Sequence, residues 1–283
     1  MKIAVSTYSF GEYIKPDSLG FIGVMDKAKE LGFEGIEIAE NEYTADTDTL
    51  KRIREHSEKI ELPVVSFDVA ADFTKDGQSI ASEIERVKAL VDSAVILASP
   101  KMRHDVAYGV YGSKHGIGFD DKLPLMVEGC RAVSEYAAEQ GVMTMFENHG
   151  YFLQDSDRVE KLINAVDRDN FGYLADIGNF MCADEDPCIA LGKLAKYAVH
   201  AHAKDFHFKS GDGINPGEGW FETRSGNYLR GAIIGHGDAK VMQSLKILKN
   251  SGYDGYLTIE FEGMEDNITG IRVGLENLRR YLA

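Results

Sequence analysis

Short apolar segments alternate with longer segments of helical period along the whole chain, and the alternation recurs eight times. The apolar runs are IAVST (3–7), GIEIA (35–39), VVSFDVA (64–70), KMRHDV (101–106), VMTMFE (142–147), FGYLAD (171–176), AVHAHAKD (198–205) and YLTIE (256–260). Between them, residues 19–31, 46–60, 80–97, 122–140 and 155–167 carry apolar positions at helical spacing. A short helix follows Pro187, another starts after Asp238, and a last one covers 268–282. Breakers fall where the pattern needs them: Gly32, Gly141 and Gly252 lie just past helix ends, and Pro63 stops the second helix. A strand–helix–strand unit needs about 30 residues, which most of these spacings match. Eight units in series predict an α/β chain folded as a single (β/α)8 TIM barrel spanning residues 1–283. An open doubly wound sheet is the rival, and no GxGxxG follows the first strand to support it. One stretch breaks the rhythm. Residues 206–237 are rich in Gly and polar residues and contain Trp220, the sole tryptophan. They predict a long loop after strand seven that serves as a lid or binding loop.

Composition narrows the class. The net charge of −15 disfavours phosphate backbones and hence general nucleic-acid binding. No run approaches the roughly 18 apolar residues that cross a bilayer, and the N-terminal MKIAVSTYSF lacks a signal-peptide pattern, so a cytoplasmic protein is expected. Cys130, Cys182 and Cys188 are odd in number and irregular in spacing, which predicts reduced thiols. Six unclustered prolines mark no domain boundary. A homo-oligomer is allowed.

In a barrel of this kind the active site forms at the C-terminal ends of the strands. Residues two apart on a strand share a face. That parity places Glu147, Asp176, His202 and Glu260 at the ends of strands five to eight, each closing an apolar run. A lone charge there is costly to bury, whereas three carboxylates and one imidazole converging on a divalent ion satisfy one another. The oxygen-rich set predicts one metal ion, Mn²⁺ first, with Mg²⁺, Co²⁺, Fe²⁺ and Zn²⁺ as alternatives.

Five segments then resemble a known family. FENHG (146–150), ADIGNF (175–180), HAHAKDF (200–206), GHGD (235–238) and GYDGYLTIEFEG (252–263) are individually weak, but together they are specific in order and spacing. They resemble the sugar phosphate isomerase/epimerase family, the xylose-isomerase-like or endonuclease-IV-like barrels, over essentially the whole chain. The resemblance implies the same four ligands, and it implies that Glu147 and Glu260 move the protons. The ketose 3-epimerases of that group carry a histidine where this chain has Asn179 and an arginine where it has Phe208. Both departures weigh against a simple free ketohexose as substrate.

The expected chemistry is deprotonation alpha to a carbonyl of a keto sugar or sugar phosphate, with the metal stabilising the enediolate. Returning the proton gives epimerisation or isomerisation, the first expectation. Losing a β-leaving group gives a lyase, either an inosose-type dehydratase or an enzyme eliminating from a 3-keto-glycoside. Lys204 points inward by parity. His104 and His149 end strands, Asn179 replaces the epimerase histidine, and His236 sits in a Gly-rich turn. These five are the candidate substrate-binding residues. Arg224 and Arg230 could bind an anion, and Trp220 and Phe221 could cover a sugar. An abasic-site endonuclease is disfavoured, because its extra inward histidines are missing and the chain is acidic. The intact pair of glutamates argues against a non-catalytic sugar-binding barrel.

Overall fold

The computed structural model describes residues 1–74, 79–107 and 118–283. Eight parallel strands close a barrel: β1 (Lys2–Ser6), β2 (Gly35–Ala39), β3 (Val64–Val69), β4 (Lys101–His104), β5 (Met143–Glu147), β6 (Phe171–Asp176), β7 (Ala198–Ala203) and, last in sequence, β11 (Tyr256–Ile259). β11 pairs with β7 on one side and with β1 on the other, so the barrel has no free edge. Outside it run α1 (Gly20–Leu31), α2 (Thr47–Ile60), α3 (Ile80–Ile96), α4 (Phe119–Glu139), α5 (Ser156–Val166), α6 (Pro187–Leu194), α7 (Val241–Asn250) and α8 (Asn267–Leu282). The single-barrel expectation holds.

Alternation along each strand sorts two populations of side chain. Ile36, Ile38, Phe67, Val69, Phe146 and Tyr173 face the helices and belong to the main core. Their neighbours Glu37, Asp68, Glu147 and Asp176 face the barrel interior and are buried there as well. The helix starts are capped as their sequences require: Asp46, Asp155 and Asp186 each accept a backbone N–H from the first turn, and Pro187 occupies the first turn of α6.

The segment after β7 differs from expectation. It is not a structureless loop: β8 (Asp205–Lys209), β9 (Phe221–Glu222) and β10 (Tyr228–Ala232) form a three-stranded antiparallel sheet in the order β8–β10–β9. Phe206 and Phe221 meet edge to face beneath it, and Leu229 completes this small core. Asp205 anchors the return. Its buried carboxylate accepts from the backbone N–H groups of Gly235, Gly237 and Ala239 at 2.8, 3.0 and 3.0 Å. Asp238 does not cap α7: its carboxylate accepts from Phe208 N, and the helix starts after Lys240 without a side-chain cap.

Candidate metal centre

The ends of β5, β6 and β7 and the residue following β11 bring Glu147, Asp176, His202 and Glu260 together, each offering a ligand atom within 4.8 Å of the others. His202 Nδ1 lies 3.8 Å from Glu147 Oε1, 3.7 Å from Asp176 Oδ2 and 3.4 Å from Glu260 Oε2. Among the described residues, Asp176 Oδ2 and His202 Nδ1 are buried and make no hydrogen bond, although the Lys204 ammonium lies 3.3 Å from Asp176 Oδ2. Two such buried atoms converging on one point fit a bound cation. Donor spacings of this size suit an ion with metal–oxygen bonds of about 2.1 Å.

The surroundings hold the four in place. Asn148 Nδ2 donates to Asp176 O, while Asn148 Oδ1 accepts from Tyr173 and from Asp176 N. Asn179 Nδ2 donates to Glu147 Oε1 at 2.8 Å, and Asn179 N donates to Asp176 Oδ1 at 2.9 Å. Arg103 pairs with Glu147 Oε2 at 3.2 Å, Asp105 at 3.2 Å and Asp68 at 3.3 Å. Lys204 Nζ lies 2.5 Å from Glu260 Oε2 and 3.3 Å from Asp176 Oδ2.

The two glutamates are electrostatically unlike. Burial pushes the Glu147 carboxyl up to about 7, with Glu260 adding to the rise and Arg103 opposing it. Burial acts on Glu260 too, but Lys204 and His202 override it and hold that carboxyl well below its ordinary range. His149 donates to Asp105 Oδ1 at 2.9 Å. Burial disfavours its charge, but the Asp105 carboxylate wins and raises the imidazole to about 9.

The centre opens into a cavity of about 980 Å³ lined by Glu147, Glu260, Lys204 and His149 on one side and by residues of β2, β3 and α3 on the other. The remaining candidates lie elsewhere. His104 is on the opposite face of β4 from Arg103, between Phe73 and Phe171, and burial lowers it to about 4. His236 is exposed in the turn that Asp205 holds. Asn179 is buried behind Glu147 and does not line the cavity. No described residue of 206–237 lines it either: Trp220 stacks with Arg230, and Arg224 pairs with Asp155. The four interior residues that strand-end reasoning passed over are Glu37, Asp68, Arg103 and Asp105. An ionisable side chain of inward parity within an apolar run is the signal that marks Glu37 and Asp68.

Known proteins agree with this architecture. The family described as xylose isomerase-like TIM barrel matches residues 25–281. An inosose dehydratase of Clostridium perfringens is 25% identical over 245 residues, covering 82% of this chain and 78% of its own length. The D-psicose 3-epimerase of Clostridium cellulolyticum H10, solved with D-tagatose, superposes with a TM-score of 0.76 at 14% identity, over 100% of this chain and 99% of that one. A Mycobacterium smegmatis protein of the same fold, solved with magnesium, superposes with a TM-score of 0.73 at 18% identity, over 100% and 98%. The chain belongs to the xylose isomerase-like TIM barrel family.

Proposed function

We propose that this chain removes the proton alpha to a carbonyl of an uncharged keto-cyclitol or keto sugar, and that the product of this step loses water. The observation that carries the reading is the unlike pairing of the two glutamates. Glu147 accepts from Asn179 Nδ2 and lies 3.2 Å from Arg103; burial raises its carboxyl to about 7, and a bound cation would bring it down to the carboxylate a base needs. Glu260, paired with Lys204 at 2.5 Å, is held as a carboxylate. Epimerisation was the first expectation, and it requires a second proton carrier on the opposite face. Elimination requires one base and one acid, and His149 supplies the acid.

Glu147 takes the proton from the alpha carbon, and the electron pair moves onto the carbonyl oxygen. When the carbonyl re-forms, the bond between the β-carbon and its hydroxyl breaks. The His149 imidazolium, steadied by Asp105, gives its proton to that oxygen, which leaves as water. The Glu147 proton then returns through solvent to His149. Lys204 offsets negative charge on the oxygen side. Glu147, Asp176, His202 and Glu260 would hold a divalent ion, with Mn²⁺ the first choice for so oxygen-rich a set. When bound, that ion supplies Lewis acidity toward the substrate oxygens.

Charge speaks for an uncharged substrate. Eight of the described cavity-lining side chains are carboxylates, and the lining cations are Arg86, Arg103, Lys204 and the His149 imidazolium. Each of these four is engaged by a carboxylate. A phosphate entering here would meet repulsion and no free cation among the described residues. The inosose dehydratase relatives fit this choice.

The test is incubation of metal-loaded protein with neutral keto-cyclitols, neutral keto sugars and their phosphorylated counterparts, followed by mass spectrometry. A product lighter by one water, from a neutral substrate, is expected. An isomer of unchanged mass would return the reading to epimerisation. A preference for phosphorylated substrates would overturn the charge argument.

A further inference from the structure

We infer that Glu37 is a positioning residue of the metal centre, fixing His202 as the tautomer whose Nδ1 lone pair faces the ion. The inference rests on the metal reading above and extends it to a strand that contributes no ligand.

Glu37 stands in the middle of β2, fully buried, between Ile36 and Ile38, which face the helices. A carboxylate in such a place needs strong partners. Glu37 Oε2 lies 3.0 Å from His202 Nε2 and 3.3 Å from His200 Nε2. An ionised carboxylate only accepts hydrogen bonds, so His202 Nε2 must carry the hydrogen. In a neutral imidazole, Nδ1 is then the lone pair. That atom faces Glu147, Asp176 and Glu260 and makes no hydrogen bond among the described residues. Without Glu37 the ring could place its hydrogen on Nδ1 and turn a donor toward the ion. The carboxylate also makes the imidazole more basic and fixes the ring plane. His200, on the same strand as His202, shares Glu37 Oε2 and meets Thr258 Oγ1 at 2.8 Å, so Glu37 is clamped from a second direction.

Glu37, His200 and His202 also form a trio of ligand-type atoms within 4.8 Å of one another. A second ion held there would make Glu37 a ligand. Stoichiometry separates the two roles.

The experiment is Mn²⁺ titration of the full chain, with free Mn²⁺ followed by electron paramagnetic resonance, for wild type, Glu37→Gln and Glu37→Asp. Circular dichroism and gel filtration check that each variant folds. Glu37→Gln keeps the size and one acceptor oxygen but loses the charge. The expected result is one Mn²⁺ per chain in all three proteins. Affinity should fall about 10- to 100-fold in Glu37→Gln, the usual effect of removing a partner of a metal-bound histidine, and less in Glu37→Asp. At saturating Mn²⁺, kcat should recover more fully than affinity does. Unchanged affinity in a folded variant overturns the inference. A second ion in wild type that Glu37→Gln abolishes overturns it as well. Wild type that binds no Mn²⁺ removes the metal reading itself, an outcome visible before any variant is compared.

Discussion

Glu147 lies between Arg103, which favours its charge, and Glu260, which opposes it, in a buried barrel mouth. Its replacement by Gln keeps an oxygen ligand but removes the base. With metal saturating, Glu147→Gln should bind substrate and lose on the order of 10² to 10⁴ in kcat, measured by steady-state turnover. Glu260→Gln should instead weaken metal affinity and free Lys204, with the smaller effect on kcat at saturating metal. Equal losses would argue for two proton carriers and hence for epimerisation. The pH profile follows from the same groups. Glu147 acts deprotonated, so kcat/KM should rise with pH along an acid limb at or below about 7, because a bound cation lowers that carboxyl further. His149 acts protonated, so the rate should fall as pH passes about 9. His149→Asn should remove the alkaline limb. At this scale the cluster of Glu147, Asp176, His202 and Glu260 was legible because each closes an apolar strand. Glu37 was not, because it lies inside a strand and a search of strand ends passes over it. Lys101, Arg103 and His104 crowd one short polar strand. Parity alone did not say which face of it was the interior, and His104 was misplaced for that reason.

The barrel strands and most helix limits were legible because glycine, proline and aspartate mark them chemically. The small sheet was not, because its β9 has only two residues and β8 and β10 are far apart in sequence. Loop-like composition hid a fold held by long-range pairing and by Asp205. That carboxylate satisfies three backbone N–H groups, the buried one of Ala239 and the partly buried ones of Gly235 and Gly237. Asp205→Ala should destabilise the protein by about 2–4 kcal/mol, since each unpaired buried amide costs about 1–3 kcal/mol. Thermal unfolding should show a fall of several degrees, and an unchanged Tm would contradict this account of the turn. Because the described residues of this sheet stand outside the cavity, hydrogen exchange across β8 and β10 should change little when substrate binds. Strong new protection there would restore the lid that the sequence suggested.

Across the whole molecule, a chain of net charge −15 gathers carboxylates into one end of its barrel. Among the described residues no helix is long and apolar enough to cross a membrane. A cation bound only by the folded form should raise stability by about 2.7 kcal/mol at a hundredfold excess over its Kd, visible as a higher Tm that chelation reverses. Protons compete with the ion for His202 and the carboxylates, so metal affinity should weaken as pH falls. The central claim is that one metal-dependent centre, with Glu147 as base, labilises the proton alpha to a carbonyl. Loss of deuterium to water from a neutral keto-cyclitol labelled at the alpha carbon, followed by mass spectrometry, tests it most directly. The account predicts release of the label by metal-loaded protein, no release after exhaustive chelation, recovery on adding Mn²⁺, and no release by Glu147→Gln. Release undiminished by chelation would contradict it.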